Sequence, residues 1–397
     1  MIYKPKRMKF GAFFAPFHGD KVNPTLALER DLELIRWLDQ LSYDEAWVGE
    51  HHSAAYECIA SPEVFIATAA ERTKHIRLAT GVSSLSYHHP LILADRIAQL
   101  DHQTRGRLIF GVGPGQLVAD AYRLGVDPAD LRRRMDESLD CLVKLLNGET
   151  VSCRTDWFTL QEARCHIRPY QSPTVEMAVA SAISPTGART AGKYGLGMIS
   201  VAASSPEGFK QLANHWRICE EKAAEHGHTV SRSNWRIVTP FHIAETREQA
   251  LRELEYGLMD MMAYFKKFGG SAFPRAKSFD EAVELWTTGG LGAFGVGVVG
   301  TPDDMIEHIR GLQEQSGGFE TFLALAHNAA DFTATKKSYE LFARYVMPEF
   351  QHSNNNRTAS LEWASANADR FMKAYMGGIE TAIKQHHDEV AAKAAAE

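Results

Sequence analysis

Two adjacent histidines follow an apolar segment early in the chain. The segment EAWVG, which is typical of a buried strand, leads directly into Glu50, His51 and His52. Neighbouring side chains on an extended chain point to opposite sides, so the two imidazoles form a poor chelating pair and no metal site is expected. Imidazole titrates near neutral pH. The pair therefore predicts a proton-handling or hydrogen-bonding role, and ordinary polar loop histidines are the alternative.

Two glycine-bearing segments also come at the ends of apolar runs. Gly81 and Val82 follow the run IRLAT, and a glycine there lets the backbone approach a flat ligand because no Cβ intervenes. Gly113 lies in FGVGPG, whose glycines match neither GxGxxG nor the spacing of a P-loop. For both segments, an ordinary turn between a strand and a helix is the alternative.

Serines end another apolar run. Ser181 closes the run VEMAVAS, and Ser184 follows just before Pro185 and a helical pattern that includes Arg189. Hydroxyl groups and free backbone N–H groups at the start of a helix can bind a phosphate. A serine that only caps the helix is the alternative.

The order of the elements explains how these residues could meet. Each segment lies where a short apolar run gives way to a stretch whose apolar residues recur every three or four positions. Eight such strand and helix repeats in about 350 residues predict an α/β fold, a (β/α)8 TIM barrel with insertions. An open doubly wound sheet is the alternative. In a barrel, functional groups collect at the carboxyl ends of the strands, and these residues follow strands.

The predicted barrel covers residues 1–347 and is interrupted twice. Residues 148–173 hold two short strand-like pieces and predict a small β excursion. Residues 263–295 are long and contain glycines and a proline that disfavour continuous regular structure, so they predict a lid loop. Residues 348–397 become rich in Ala and Glu and predict a C-terminal helical extension, packed on a neighbouring subunit or frayed at the surface.

Composition narrows the classes of partner. The 397 residues are 45% hydrophobic and 23% charged, with a formal net charge of -6 and no basic run. Nucleic acid and membrane surfaces are therefore not expected partners, and no segment is apolar enough to span a membrane. Five cysteines at irregular spacing predict neither a disulfide framework nor a zinc site, which favours a cytoplasmic protein.

Taken in order, segments of the chain resemble the bacterial luciferase-like flavin-dependent monooxygenase family. The resemblance runs from Met8 to about Phe350. It rests on the joint order and spacing of YDEAWVGEHH, IRLATGV, LDHQTRGRLIFGVGPG, ARTAGKYGLG and VGTPDDMIEHI. The segments APFH, NPTLALERDLELI, SPEVFIATAAERT and RTDWFTL resemble the limonene-monooxygenase-like branch. The resemblance implies that residues 263–295 close over the site.

The family implies a two-component monooxygenase. A separate NAD(P)H:flavin reductase would supply reduced FMN (FMNH2), and O2 would form a flavin C4a-hydroperoxide that oxygenates a small, mainly apolar molecule such as a terpene, alkene or heteroarene. Three alternatives stay open: a deazaflavin-dependent hydride-transfer oxidoreductase, a Baeyer-Villiger-type ketone monooxygenase and a non-catalytic flavin-binding protein. Family members commonly form dimers, so a homodimer is expected.

The resemblance also implies roles for residues. His51 matches the histidine proposed as acid/base catalyst in the family, and His52 matches its neighbour in the site. Gly81 and Val82 match the position of a non-proline cis peptide beside the flavin ring. Ser184 matches a serine that binds the flavin phosphate, and Ser181 lies on the same approach.

The chain departs from the luciferases at three positions. Gly113 and Pro114 stand where luciferases carry a cysteine near the flavin and then an arginine on the phosphate. Arg189 is the residue expected to meet the phosphate charge instead. Ile183 replaces an acidic residue near the phosphate, so light emission is not expected.

Overall fold

The structure is a computed structural model that describes residues 2–15, 17–270, 273–289 and 295–396. The chain divides into two compact units, Met1–Gln351 and His352–Glu397. Of the predicted lid at 263–295, residues 271–272 and 290–294 lie outside the described residues.

The described part of the first unit contains eight parallel strands that close into a barrel. Each strand pairs with the next along the chain, and the last pairs with the first through six residue pairs. The barrel strands are β1 (Lys9–Phe14), β2 (Glu45–Val48), β3 (Arg77–Thr80), β4 (Leu108–Gly113), β5 (Glu176–Ser181), β6 (Gly197–Ser200), β7 (Trp235–Ile243) and β8 (Thr321–Ala326). The predicted (β/α)8 barrel is confirmed, and its closure excludes an open sheet.

Helices follow the barrel strands and cover the outside of the barrel. The helices of the first unit are α1 (Pro24–Gln40), α2 (Pro62–Arg72), α3 (Pro90–Gln103), α4 (Val118–Arg123), α5 (Leu131–Leu146), α6 (Thr186–Tyr194), α7 (Pro206–Glu225), α8 (Arg247–Leu254), α9 (Leu258–Gly269), α10 (Phe279–Thr288), α11 (Pro302–Ser316), α12 (Phe332–Leu341) and α13 (Met347–Gln351). Their starts carry local signals. Asn23 caps α1 through the N–H groups of Thr25 and Leu26, and Pro24 begins the helix because its missing N–H costs nothing there.

Two insertions stand outside the barrel ring. Within 148–173, the strands Val151–Arg154 and Thr159–Ala163 form an antiparallel pair. Within 263–295, the described residues include the end of α9 and the whole of α10, so this segment is partly helical. Gly289 ends α10 at a φ of 81°, a backbone conformation that glycine adopts without a side-chain clash.

The second unit consists of two helices, α14 (Asn355–Ala366) and α15 (Ala368–Ala394). Large apolar side chains on these helices are exposed, among them Trp363, Met372 and Tyr375. No helix among the described residues of the chain is both long and apolar enough to cross a membrane.

An ion cluster closes the amino ends of the strands. Arg236, whose side chain is 1% exposed, donates to both carboxylate oxygens of Glu45 at 2.9 and 2.8 Å and to Glu176 at 2.6 Å. Arg77 donates to the other oxygen of Glu176 at 2.5 Å. Trp47 lies inside the barrel under the Arg236 guanidinium, with 5.3 Å between that group and the ring centroid. The barrel is therefore filled and sealed at this end.

Candidate active site

An apolar cavity of about 310 Å³ opens at the carboxyl ends of the strands. Most of its wall is hydrophobic, with Phe13, Phe17, Val82, Val201, Val238, Phe265 and Leu325 among the lining residues. Its polar members include Glu50, His51, Glu57 and Gln116. We call this space the reaction cavity. It can hold an apolar molecule beside a small number of titratable groups.

A second cavity of about 410 Å³ adjoins the reaction cavity. Both are lined by Val82, Gly115, Gln116, Ala180 and Val201. The wall of the second cavity also includes Ser181, Ser184 and Gly187, the last of which lies in the first turn of α6. We call it the α6 cavity. Together the two cavities suit a ligand with a flat apolar end and an anionic end, because the start of a helix attracts negative charge.

His51 lies between two carboxyl groups at the wall of the reaction cavity. Its Nδ1 is 3.2 Å from Asp120 Oδ2, and its Nε2 is 3.3 Å from Glu57 Oε2. Burial opposes a charge on the ring, but the carboxylates of Glu57 and Asp120 outweigh it and raise the pKa of His51 above its ordinary value. The surroundings of His51 therefore favour its protonated form.

Asp120 fixes the loop that carries His51. Its Oδ1 accepts hydrogen bonds from the backbone N–H of His52, at 3.1 Å, and from the Ser53 hydroxyl. Burial opposes its charge, but the hydrogen bonds from His51 and Ser53 lower the pKa of Asp120. Asp120 therefore stays charged and orients the His51 ring.

His52 is not among the residues that line the reaction cavity. Its Nε2 hydrogen-bonds Glu50 Oε1 at 2.9 Å, and the same oxygen meets His88 Nε2 at 2.7 Å. The other Glu50 oxygen accepts from the backbone N–H of Ser84 at 2.7 Å. This network ties the loop after β2 to the loop after β3.

Gly81 and Val82 lie where the loop after β3 meets the reaction cavity. The peptide bond between them is cis, at the position where the family resemblance implies one. A Cβ at Gly81 would lie 3.0 Å from both Phe13 and Trp47, so a side chain there would require these residues to shift. Gly113 lines neither cavity, and a Cβ on it would lie 2.6 Å from Val82 Cγ2. Gly113 thus leaves space for the Val82 side chain.

Ser181 and Ser184 both line the α6 cavity. The Ser181 side chain is 1% exposed, and its hydroxyl has no hydrogen-bond partner among the residues that the structure describes. A buried hydroxyl without a partner is costly, and a ligand oxygen in the cavity would satisfy it. The Ser184 hydroxyl lies 3.4 Å from Thr186 Oγ1, close to the start of α6.

Arg189 is exposed and is not among the residues that line the α6 cavity. Thr186, Gly187 and Thr190 of the same helix do line it, whereas the exposed Arg189 does not. Arg132 at the start of α5 lines the cavity instead. The sequence did not indicate Arg132 as a counter-charge, because Arg132 lies on α5, before β5, and far along the chain from the serines.

Asp120 and Glu57 were also missed. Asp120 lies 69 residues after His51, on a helix of six residues, so no local pattern marks it as a partner. Glu57 belongs to the same loop as His51, but its inward direction depends on how that loop folds back. The sequence did mark the loop, through the histidines that follow β2. Among the described residues, no cluster of three or more His, Cys, Asp or Glu could hold a metal ion.

The structure is a (β/α)8 barrel with an apolar cavity at the carboxyl ends of its strands, beside the contacting side chains of His51, Glu57 and Asp120. A sequence profile described as luciferase-like monooxygenase matches residues 8–319, which is most of the chain. The chain therefore belongs to the luciferase-like monooxygenase family and is a flavin-dependent monooxygenase, as its sequence predicts.

Individual relatives agree with this family. Limonene 1,2-monooxygenase of Rhodococcus erythropolis is 46% identical over 89% of this chain and 92% of its own. The 4-hydroxyprotoasukamycin monooxygenase of Streptomyces nodosus subsp. asukaensis is 45% identical over 91% of this chain and 98% of its own. The oxygenating constituent of 3,6-diketocamphane monooxygenase from Pseudomonas putida, a type II Baeyer-Villiger enzyme solved with FMN, superposes with a TM-score of 0.70 at 26% identity, covering 86% of this chain and 98% of that one.

Proposed function

We propose that this protein uses reduced FMN from a separate NAD(P)H:flavin reductase, together with O2, to oxygenate a small and mainly apolar alkene, terpene or heteroarene. The observation that carries the proposal is that an apolar cavity lined by His51 adjoins a cavity lined by Ser181, whose hydroxyl has no partner among the described residues. The name of the limonene relative supports a terpene-like substrate. A homodimer in the cytoplasm remains part of the proposal.

The residues present fit a flavin mononucleotide. The flat ring system would occupy the reaction cavity next to Gly81 and Val82, which both line it. The phosphate would lie in the α6 cavity, where Ser181, Ser184 and the first N–H groups of α6 can donate hydrogen bonds. Arg132 replaces Arg189 as the proposed counter-charge.

The chemistry needs electrons from the cofactor and protons from the protein. Reduced FMN supplies two electrons, so that one oxygen atom of O2 enters the product and the other leaves as water. His51 would give or take a proton at the cavity wall, and Asp120 keeps its ring in place. The apolar side chains around His51 exclude water, which limits the unproductive release of hydrogen peroxide.

Cofactor preference tests this proposal against hydride transfer with deazaflavin. Purified protein is titrated anaerobically with photoreduced FMN and, separately, with reduced coenzyme F420, while quenching of the protein's tryptophan fluorescence reports binding. We expect reduced FMN to bind and F420 not to displace it. Tight binding of F420 without binding of reduced FMN would contradict the proposal.

Product formation tests the same proposal against a protein that only binds flavin. The protein is mixed with an unrelated flavin reductase, NADH, FMN, catalase and a panel of terpenes, heteroarenes and ketones, and extracts are analysed by mass spectrometry. We expect a product that has gained one oxygen atom and that requires both reductase and O2. A product that forms equally without the protein would contradict the proposal.

A further inference from the structure

Glu57 places a buried carboxyl group in the wall of the reaction cavity. It lies in the loop between β2 and α2, and its side chain is 14% exposed. Its Oε2 is 3.3 Å from His51 Nε2, and within the described residues His51 is its only ion-pair partner. The ring nitrogen that faces away from Asp120 is thus the one that meets Glu57.

The groups around this contact are mostly acidic. Asp120 approaches His51 from α4, Glu50 from the end of β2 and Glu57 from the following loop. Tyr264 of α9 also lies close enough to Glu57 and Asp120 to feel their charge. The positive charge that His51 carries when it is protonated lowers the pKa of both Glu57 and Asp120.

The surroundings favour the protonated forms of both Glu57 and His51. Burial raises the pKa of Glu57, and the nearby Asp120 charge raises it further, although His51 opposes both. Asp120 stays charged, so a negative charge on Glu57, which contacts the same imidazole ring, is unfavourable unless His51 is protonated. The contact between Glu57 Oε2 and His51 Nε2 is therefore a place where the surroundings stabilise a proton.

We propose that Glu57 and His51 hold one transferable proton at the wall of the reaction cavity, and that this proton directs the enzyme to electron-rich carbon–carbon double bonds rather than to ketones. The inference rests on the proposed function. An alkene, O2 and reduced FMN give an epoxide, FMN and water. The π electrons of the alkene bond to one oxygen atom while the O–O bond breaks, and the departing oxygen takes the proton.

The cofactor supplies the electrons and hydrogens that this reaction needs. Reduced FMN supplies two electrons and two hydrogens, one of which completes the water while the other restores the proton of the pair. Insertion of oxygen beside a ketone instead needs an oxygen nucleophile that has lost its proton. A pair that keeps a proton beside the reacting oxygen disfavours that state, so alkenes are the favoured substrate class.

The test compares Glu57→Gln with a matched control. The control, Glu253→Gln, removes the carboxylate partner of another buried histidine, His242. The His242 Nε2 lies 2.8 Å from Glu253 Oε2. Neither residue lines the reaction cavity or the α6 cavity. Wild type and both variants receive limonene or cyclohexanone with reductase, NADH and FMN. We expect Glu57→Gln to lower epoxide formed per flavin oxidised about 100-fold, with hydrogen peroxide released instead. Glu253→Gln should match wild type.

Two readouts separate a proton role from a structural one. The alkaline limb of the activity profile should move to lower pH in Glu57→Gln, because His51 loses a carboxylate that raises its pKa. NMR titration of His51 in the protein without flavin, assigned with His51→Gln, should report the same direction. An unchanged His51 titration together with unchanged epoxide yield overturns the proposal.

Wild-type protein tests the inference even when Glu57→Gln fails to fold. Its His51 should titrate above the ordinary pKa of histidine, and it should oxidise limonene in preference to cyclohexanone. Conversion of cyclohexanone to its lactone without conversion of limonene overturns the inference, and of the proposed function it leaves only the use of reduced FMN and O2. Failure to bind reduced FMN contradicts the proposed function, and the His51 titration still decides whether the pair holds the proton.

Discussion

The two ends of the barrel differ in how completely their polar side chains are paired within the protein. At the amino ends of the strands, both oxygens of Glu45 and both oxygens of Glu176 accept hydrogen bonds from guanidinium groups at 2.9 Å or less. At the carboxyl ends, His51 lies at longer distances of 3.2 and 3.3 Å from its carboxylates, and the Ser181 hydroxyl has no partner among the described residues. One end is satisfied by the protein alone, and the other leaves polar groups for a ligand.

The difference separates stability from function within one fold. Buried ions that are fully paired fix the register of the strands, but they have no capacity left to bind a ligand. Polar groups with weak or missing partners cost stability and are retained where a ligand completes them. Substitutions at the amino ends should therefore change folding, whereas substitutions at the carboxyl ends should change cofactor binding and product formation.

Arg236→Leu should have the largest effect. It leaves the buried Glu45 and the partly exposed Glu176 without their shared counter-ion, and breaking such a buried pair costs about 3–5 kcal/mol of unfolding free energy. Urea denaturation followed by circular dichroism measures the change. Arg133→Leu is the control, because Arg133 makes its ion pairs with Asp130, Glu137 and Asp156 at the surface, and its loss should leave the midpoint unchanged. Equal losses in both variants would remove the distinction between the two environments.

Ser181→Ala should weaken reduced-FMN binding about tenfold without lowering stability. A hydrogen bond to a charged group contributes about 1.5–3 kcal/mol, and removing an unpartnered hydroxyl relieves a cost in the free protein. Anaerobic fluorescence titration gives the affinity, and thermal unfolding gives the stability. Ser138→Ala is the matched control, because the Ser138 hydroxyl is also buried and unpartnered among the described residues but lines neither site cavity. Unchanged affinity in Ser181→Ala would place the phosphate elsewhere.

Lowering the pH should reduce the free energy of unfolding through the ion cluster at the amino ends of the strands. The effect should be smaller than that of Arg236→Leu. Burial alone would raise the pKa of Glu176, but Arg236 and Arg77 outweigh it and lower that pKa to about 2. A depressed folded-state pKa gives stability that is present above the unfolded value and is lost as pH falls toward about 2. Urea midpoints of the wild type should therefore decline below about pH 5. Glu176→Gln should begin less stable and decline less, and an identical decline in both proteins would contradict the assignment.

The sequence predicts the barrel better than it predicts the site. Alternation of strand and helix patterns is local, so the ring of strands and the positions of His51, Gly81 and Ser181 at strand ends could be read from it. The partners of these residues are not local. Asp120 reaches His51 from a helix on another connection, and Arg132 rather than Arg189 lines the α6 cavity because the start of α6 sets which face points inward.

His52 illustrates the same limit. Adjacent residues leave an extended segment on opposite sides, which the sequence predicts, but the sequence does not say which of the two histidines meets the cavity. The structure directs His51 to the reaction cavity and His52 to Glu50. Glu57 becomes part of the site only because the loop after His52 folds back over the strand ends.

Oxidation of protein-bound reduced FMN tests the central claim most directly. Photoreduced FMN is mixed anaerobically with excess wild-type protein or His51→Ala and is then mixed rapidly with O2 while flavin absorbance is recorded. We expect the wild type to reoxidise in a slow phase that differs from free FMN, because the apolar reaction cavity excludes water and His51 lies at its wall. The phase should shorten in His51→Ala. Reoxidation identical to free FMN in both proteins would contradict the account.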